Sequence, residues 1–413
     1  QQTYAAPTTE SVLWQRQVHS VEALNALCDE AQRSLDLHNG PLMRALLVAM
    51  ADGTQRLLLV IHHLAVDGVS WRVLLEDLQQ FYSGGKVSLV KTSSYQRWVA
   101  RLQDHLPAFE TSKEYWLAQL NNAPTDLPCD RPNGALENRF EHKIELKLNA
   151  EHTRKLLQHA PAAYRTQVND LLLTALARAV CRWSGQGSAL IQLEGHGRED
   201  LFDDIDLTRT VGWFTSLFPV NLVPSSDLGA SIKTIKEHLR GVPDKGLGYG
   251  ALRYLGAPAM SGELAALPQP RITFNYLGQF DRQFDDGALF VPSTEGNGVA
   301  QDPSAPLGNW LTVEGQVYGG ELSLSWGFSR EMFATATIQG LADDYAQELK
   351  ALIDHCCAVE VPQTTPSDFA LARISQTQLD ALPVETLEDL YPLSPMQQGM
   401  LFHTLYEPQV GAY

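Results

Sequence analysis

Three short runs hold the side chains best suited to moving a proton. The first is His62-His63-Leu64-Ala65-Val66-Asp67-Gly68. Histidine ordinarily titrates near about 6.5, so it serves as base or acid close to neutrality. Neighbours at a strand end point to opposite faces, so His62 and His63 are poorly placed to ligate one metal ion. The pattern predicts one histidine in packing and the other facing a cavity, although two purely structural histidines would give the same short run. The second run is Glu194-Gly195-His196-Gly197-Arg198-Glu199-Asp200. Glycines on both sides of His196 imply tight turns or a ligand close to the main chain. Glu194 either faces a cleft or forms an ion pair with Arg198 or another base. A glutamate starts near about 4.3 and needs partial burial to become a useful proton donor. The third run, Phe274-Asn275-Tyr276-Leu277-Gly278-Gln279, sets an amide and a phenol in an apolar stretch, where buried polar groups must find partners.

These residues need elements to hold them. Leu57-Leu-Leu-Val-Ile61 is a continuous apolar run, which predicts a strand buried on both faces and ending at the histidines. Apolar residues then recur at Trp71, Leu74, Leu75, Leu78 and Phe81, the spacing of an amphipathic helix. Ala189 to Leu193 reads as a second strand, closed by Glu194. A helix from about Gln167 to Trp183 precedes it, with Leu171, Leu172, Ala175, Leu176 and Val180 on its apolar side. Asn122 to Asn138 has the Pro, Asn and Asp content of a crossover. Glu321 to Trp326 alternates as a strand does, and Arg330 to His355 is rich in helix signal. From Val361 the composition becomes that of a linker. Gly246-Leu-Gly-Tyr-Gly250 is only superficially like a phosphate-cradling loop, because it follows Pro243-Asp-Lys rather than a strand and lacks the expected lysine and hydroxyl.

Bulk properties narrow the classes of function. The 413 residues suffice for two lobes of ordinary size, and 44% hydrophobic with 19% charged residues is a globular composition. Lysine and arginine number 31 against 48 acidic residues, a net charge of -17 that disfavours nucleic acid and anionic membranes. Cys28, Cys129, Cys181, Cys356 and Cys357 show no CxxC spacing or disulfide framework, which predicts a reducing, cytoplasmic setting. No apolar run reaches membrane-spanning length. The first residue is not methionine, as expected of a piece of something longer.

Together and in this order, His62 to Trp71, Glu194 to Glu199, Arg209-Thr-Val-Gly-Trp-Phe-Thr-Ser-Leu-Phe-Pro219, Gly246 to Gly250 and Phe274 to Gln279 resemble the epimerization-domain family of nonribosomal peptide synthetases, within the condensation-domain superfamily. The resemblance implies an α/β fold of two chloramphenicol-acetyltransferase-like lobes in a V-shaped pseudo-dimer, with the site in a tunnel between them. It assigns His63 and Glu194 as catalytic, Asp67 as a structural residue of the histidine loop, and Asn275 and Tyr276 to the lining of the site; His62 is a supporting neighbour. The family's opening Pro-Ile-Gln-x-Trp-Phe-like segment has no counterpart here, so the N-terminal lobe is expected to be truncated. Leu390 to His403 resembles the opening of a condensation domain. The implied organisation is residues 1–140 and 141–358 as the two lobes, 359–388 as a linker and 389–413 as the start of a condensation domain.

The implied reaction inverts the Cα centre, L to D, of an aminoacyl or peptidyl thioester. It needs a base on one face of that carbon, a donor on the other and stabilisation of enolate charge between them. No metal and no cofactor bound by this domain are implied. The one prosthetic group is the 4′-phosphopantetheine arm of a partner, a peptidyl carrier domain immediately upstream; a condensation domain would follow downstream, and neither nucleic acid nor membrane is an expected partner. Two rivals remain: a condensation-type acyl transferase of the same fold, for which the histidine run alone would serve, and a non-catalytic docking scaffold. Glu194 in its Gly-His-Gly-Arg setting favours epimerization, since condensation has no need of a second acid there.

Overall fold

The structure, a computed structural model, describes residues 2–3, 11–84, 91–279, 289–383 and 387–406. Its first sheet is small: β1 (Leu13–Val18) lies parallel to β2 (Met43–Met50), and β3 (Gln55–Ile61) runs antiparallel to β2. Helix α1 (Val21–Arg33) begins at Ser20, whose side chain accepts the Ala23 N–H. It packs Leu24, Cys28 and Ala31 against Val18, Leu46, Val48 and Val60. Because α1 covers one face of this sheet, β3 alternates rather than burying both faces: Val60 is 5% exposed but Leu57 is 39% exposed. The expected doubly buried strand is therefore an edge strand with one packed side. Helix α2 (Gly68–Tyr82) follows, N-capped by Asp67, and its most buried residues are Ser70 and Val73; Phe81, expected on the core face, is exposed.

The larger sheet has the order β4-β9-β8-β7-β5-β6. Its strands are β4 (Glu141–Leu148), β5 (Ala189–Gly195), β6 (Ser216–Leu222), β7 (Ile272–Gln279), β8 (Leu311–Tyr318) and β9 (Glu321–Ser329). Strand alternation gives it two chemically different faces. Register places Leu193, Phe274, Val313, Trp326 and Ile144 side by side on one, all of them buried. One residue further along, the opposite face carries Asn275, Glu314, Ser325 and Glu145 in a row. This polar face receives Glu194.

The chain divides into two compact units, Gln1–Leu148 with Leu190–Asn221 and Pro243–Ala342 in one, and Asn149–Ala189 with Leu222–Val242 and Asp343–Tyr413 in the other. The residues with candidate chemistry all belong to the first. In the second, the helix Val168–Ser184 buries Leu171, Leu172, Ala175, Leu176 and Val180, the apolar side that its spacing predicts. Arg178 and Arg182 both hold Glu348, and Arg240 holds the buried Asp170. The stretch after Val361, linker-like in composition, is packed: Thr365 and Phe369 are buried, and Asp368 pairs with Lys236, itself 1% exposed. The helix Pro395–Tyr406 differs, having no buried residue and exposing Met396, Phe402 and Leu405. Residues 407–413 of the expected condensation-domain start lie outside the described residues. Among the described residues no helix is long and apolar enough to cross a membrane.

Candidate active site

The site is built around Asp67. Its carboxylate caps α2 by accepting the Ser70 N–H at 2.7 Å, and it accepts the Phe214 N–H at 3.1 Å. Arg198 donates one nitrogen to both carboxylate oxygens, at 2.9 and 3.1 Å, and to Ser70 Oγ at 2.9 Å. Its other terminal nitrogen donates to the carbonyls of Leu207 and Thr210. Ser70 Oγ in turn donates to the Gly212 carbonyl and accepts the Gly212 N–H. The Asp67 and Arg198 side chains are 2% and 7% exposed. A charge pair so deeply buried depends on its hydrogen bonds: both Asp67 oxygens and both terminal nitrogens of Arg198 are engaged, and only Arg198 Nε lacks a partner among the described residues. Its effect is to bolt the histidine loop, which follows β3, to the long loop that follows β5.

His63 is not a strand residue. β3 ends at Ile61, His62 precedes a single 3₁₀ turn, and His63 opens that turn, so strand alternation does not set its direction. The Nδ1 of His62 accepts the Leu64 N–H at 3.2 Å, which fixes the half-buried His62 as a local cap. His63 is exposed, and its ring meets Trp213 edge-on at 4.8 Å between centroids. Trp213 lies beside Phe214, whose N–H binds Asp67. The same loop therefore both fastens Asp67 and props His63.

Glu194 stays inside β5 and is half-buried on the polar sheet face. Asn275 Nδ2 donates to its Oε2 at 2.7 Å. No cation lies within ion-pair distance of it among the described residues; Arg198, the partner anticipated as one alternative, is spent on Asp67. Burial raises the Glu194 carboxyl above its ordinary pKa, and the negative charge of Glu314 adds to the rise. Tyr276 is placed differently. Its ring packs over Gly315 beside Leu324, on the apolar face of the sheet, and burial pushes its phenol up. Asn275 is thus brought to Glu194 and Tyr276 is not.

Glycines make the close approaches possible. Gly197 has φ +66°, and a Cβ there would fall 1.7 Å from the Phe214 carbonyl oxygen. Gly246 has φ +85°, with the Phe218 ring 2.0 Å from where a Cβ would sit, so the Gly246–Gly250 run serves packing. Sequence reasoning missed Ser70, Trp213 and Glu314. Ser70 and Trp213 lie within matched runs whose individual roles no spacing reveals. Glu314 lies in an ordinary alternating strand, and only the register of β8 against β7 marks it out.

Residues 12–374 match the condensation-domain family, and the chain belongs to it. It is 44% identical over 400 residues to a linear gramicidin synthase of Brevibacillus parabrevis, covering 94% of this chain and 8% of that protein. To bacitracin synthase 3 of Bacillus licheniformis it is 38% identical over 400 residues, covering 94% of this chain and 6% of that protein. The chain thus spans only a small part of these relatives' length. Among solved structures it is similar to the epimerization domain from the third module of tyrocidine synthetase B, with a TM-score of 0.78 at 38% identity over 85% of this chain and 82% of that one. The condensation domain of the Monacolin K polyketide synthase shares the fold, with a TM-score of 0.64 at 15% identity over 84% of this chain and 80% of that one. The mixed α/β condensation-domain fold, related to chloramphenicol acetyltransferase, is the fold class that the sequence implied.

Proposed function

We propose that this domain epimerizes, L to D, the Cα of an aminoacyl or peptidyl thioester carried by a peptidyl carrier protein. The observation that carries the reading is the state of Glu194: half-buried, with no cation at ion-pair distance among the described residues, held by one amide and shifted toward its protonated form. A carboxyl group kept that way is suited to proton exchange rather than to ion pairing. His63 and Glu194 are the two acid–base groups. One takes the Cα proton, the electron pair moves into the thioester carbonyl as an enolate, and the other returns a proton to the opposite face as the carbonyl re-forms. In the reverse direction their roles exchange. Asn275 orients Glu194, while Asp67 and Arg198 fix the loop that carries His63 to the loop that follows the strand of Glu194. The 4′-phosphopantetheine arm arrives with the carrier as part of the substrate, from a carrier domain upstream, and residues 389–413 begin a condensation domain downstream. The likeness to the tyrocidine synthetase epimerization domain supports the same reading.

Deuterium wash-in at Cα, followed by mass spectrometry on a defined carrier-bound substrate, tests it. His63→Ala and Glu194→Gln are each expected to suppress exchange severely while the fold persists. Wash-in by Glu194→Gln at the wild-type rate would overturn the two-group scheme. Amide formation without Cα exchange would instead make the domain an acyl transferase.

A further inference from the structure

We infer that Glu314 is a positioning residue for the reaction proposed above, holding the proton on Glu194 through like-charge repulsion across the polar sheet face. The sheet builds this relation. Gln192 pairs in register with Thr273, so two residues on, Glu194 and Asn275 share a face, and their side chains are hydrogen-bonded. Asn275 pairs with Glu314 on β8. The carboxyls of Glu194 and Glu314 therefore flank one neutral amide, two strand spacings apart, roughly 9–10 Å between backbones. Long side chains on one face close that gap.

The other groups around Glu194 are neutral or engaged elsewhere, and Arg72 of α2 donates to the Leu277 carbonyl of β7 rather than to either carboxyl. On β7, Asn275 is neutral and Tyr276 faces the other side. Where β6 approaches, the atom nearest Gly195 is the Ser216 hydroxyl. In the loop beyond β5, Arg198 is committed to Asp67 and His196 lies against Glu199, which also takes Lys245. Next along the row beyond Glu314 come Ser325 and then Glu145 on β4, a further negative charge. Of the two carboxyls flanking Asn275, Glu314 is exposed and Glu194 half-buried. Water solvates the charge on the first, and the second is left to take up the proton. The direction of the Glu194 shift, with Glu314 as the cause after burial, agrees with this placement.

The consequence is specific: Glu314 sets the pH range over which Glu194 can donate, without touching the reacting carbon. The test titrates Glu194 itself, by 13C NMR of glutamate-labelled protein with the signal assigned through Glu194→Gln, and needs no substrate. In Glu314→Gln the Glu194 midpoint is expected to move to lower pH, whereas Glu314→Asp keeps most of the wild-type value. Because Glu314 is exposed, added salt should lower the wild-type midpoint toward that of Glu314→Gln and leave the variant nearly still. A midpoint unmoved in Glu314→Gln, or equally salt-sensitive in both proteins, overturns the inference. With a substrate, the alkaline limb in one stereochemical direction and the acidic limb in the other should both shift to lower pH in Glu314→Gln. Absence of Cα exchange in every variant, with the NMR shift intact, would remove the epimerase reading and leave the Glu314–Glu194 coupling standing.

Discussion

Asp67 and Glu194 are both acidic residues withdrawn from water in the same compact unit, and the structure treats them in opposite ways. Asp67 is 3% exposed and saturated: it takes two backbone N–H groups and both of its oxygens face Arg198. Glu194 keeps partial access to solvent, receives one amide, and among the described residues has a like charge rather than a cation for its electrostatic neighbour. A carboxylate with every lone pair engaged holds structure and is a poor proton carrier. One left short of partners costs stability and keeps its chemistry available. The family resemblance assigns Asp67 to structure and Glu194 to catalysis, and the surroundings of each supply a physical reason for that division.

Removing each carboxylate is the strongest way to break the comparison. Asp67→Ala leaves Arg198 buried and unpaired, which should cost about 3–5 kcal/mol of stability, measured by urea unfolding. Adding Arg198→Met should recover part of that loss, because two matched apolar replacements strand no charge. Additive losses in the double variant would mean that the pair is not a unit. Glu194→Gln, in contrast, should unfold at or above the wild-type urea midpoint. A large loss of stability there would put Glu194 in the same class as Asp67.

Gly197 tests the frame between them. Any side chain meets the Phe214 carbonyl, at a φ that L-residues adopt with strain. Gly197→Ala should cost roughly 1–3 kcal/mol and should lower Cα exchange by more than the folded fraction falls, since the displaced loop carries Trp213. Circular dichroism alongside deuterium wash-in separates the two effects. Trp213→Leu is expected to act more mildly, weakening exchange through a looser His63 with little change in unfolding. Equal exchange by Trp213→Leu and wild type would show that His63 holds its orientation without the edge contact.

Much of this is legible in the sequence, and the unreadable parts share a cause. The helix Val168–Ser184 and the strands β3 and β5 follow from apolar periodicity, because burial alone fixes them. Periodicity does not say what covers a strand, so it puts Leu57 inside although α1 protects only the opposite face. It also cannot place a residue one step beyond a strand: alternation gives His63 a direction, but the residue sits in a 3₁₀ turn. The packing of Thr365 and Phe369 is hidden for a similar reason. Pro-, Thr- and Ser-rich sequence looks like a tether until the ion pair of Asp368 with Lys236 is seen. Glu314 needs the register of two strands, a relation between segments that no local window contains.

The smallest expected effect is the most direct reading of Glu194. Its folded pKa is raised, so the native state binds that proton more tightly than the unfolded chain does. By linkage, stability then falls as pH rises from the ordinary carboxylate range through the raised folded value, and is flat above it. Glutamine removes the titration yet retains an oxygen to accept the Asn275 amide. The stability of Glu194→Gln relative to wild type should therefore rise across that same window and level off toward neutrality. Urea titrations of both proteins, matched at each pH from the acid side of the carboxylate range to neutrality, measure the difference directly. A difference that stays constant over the whole range would mean that Glu194 titrates alike in folded and unfolded chains. Its burial would then have no hold on its proton, and the contrast with Asp67 would be one of partners only.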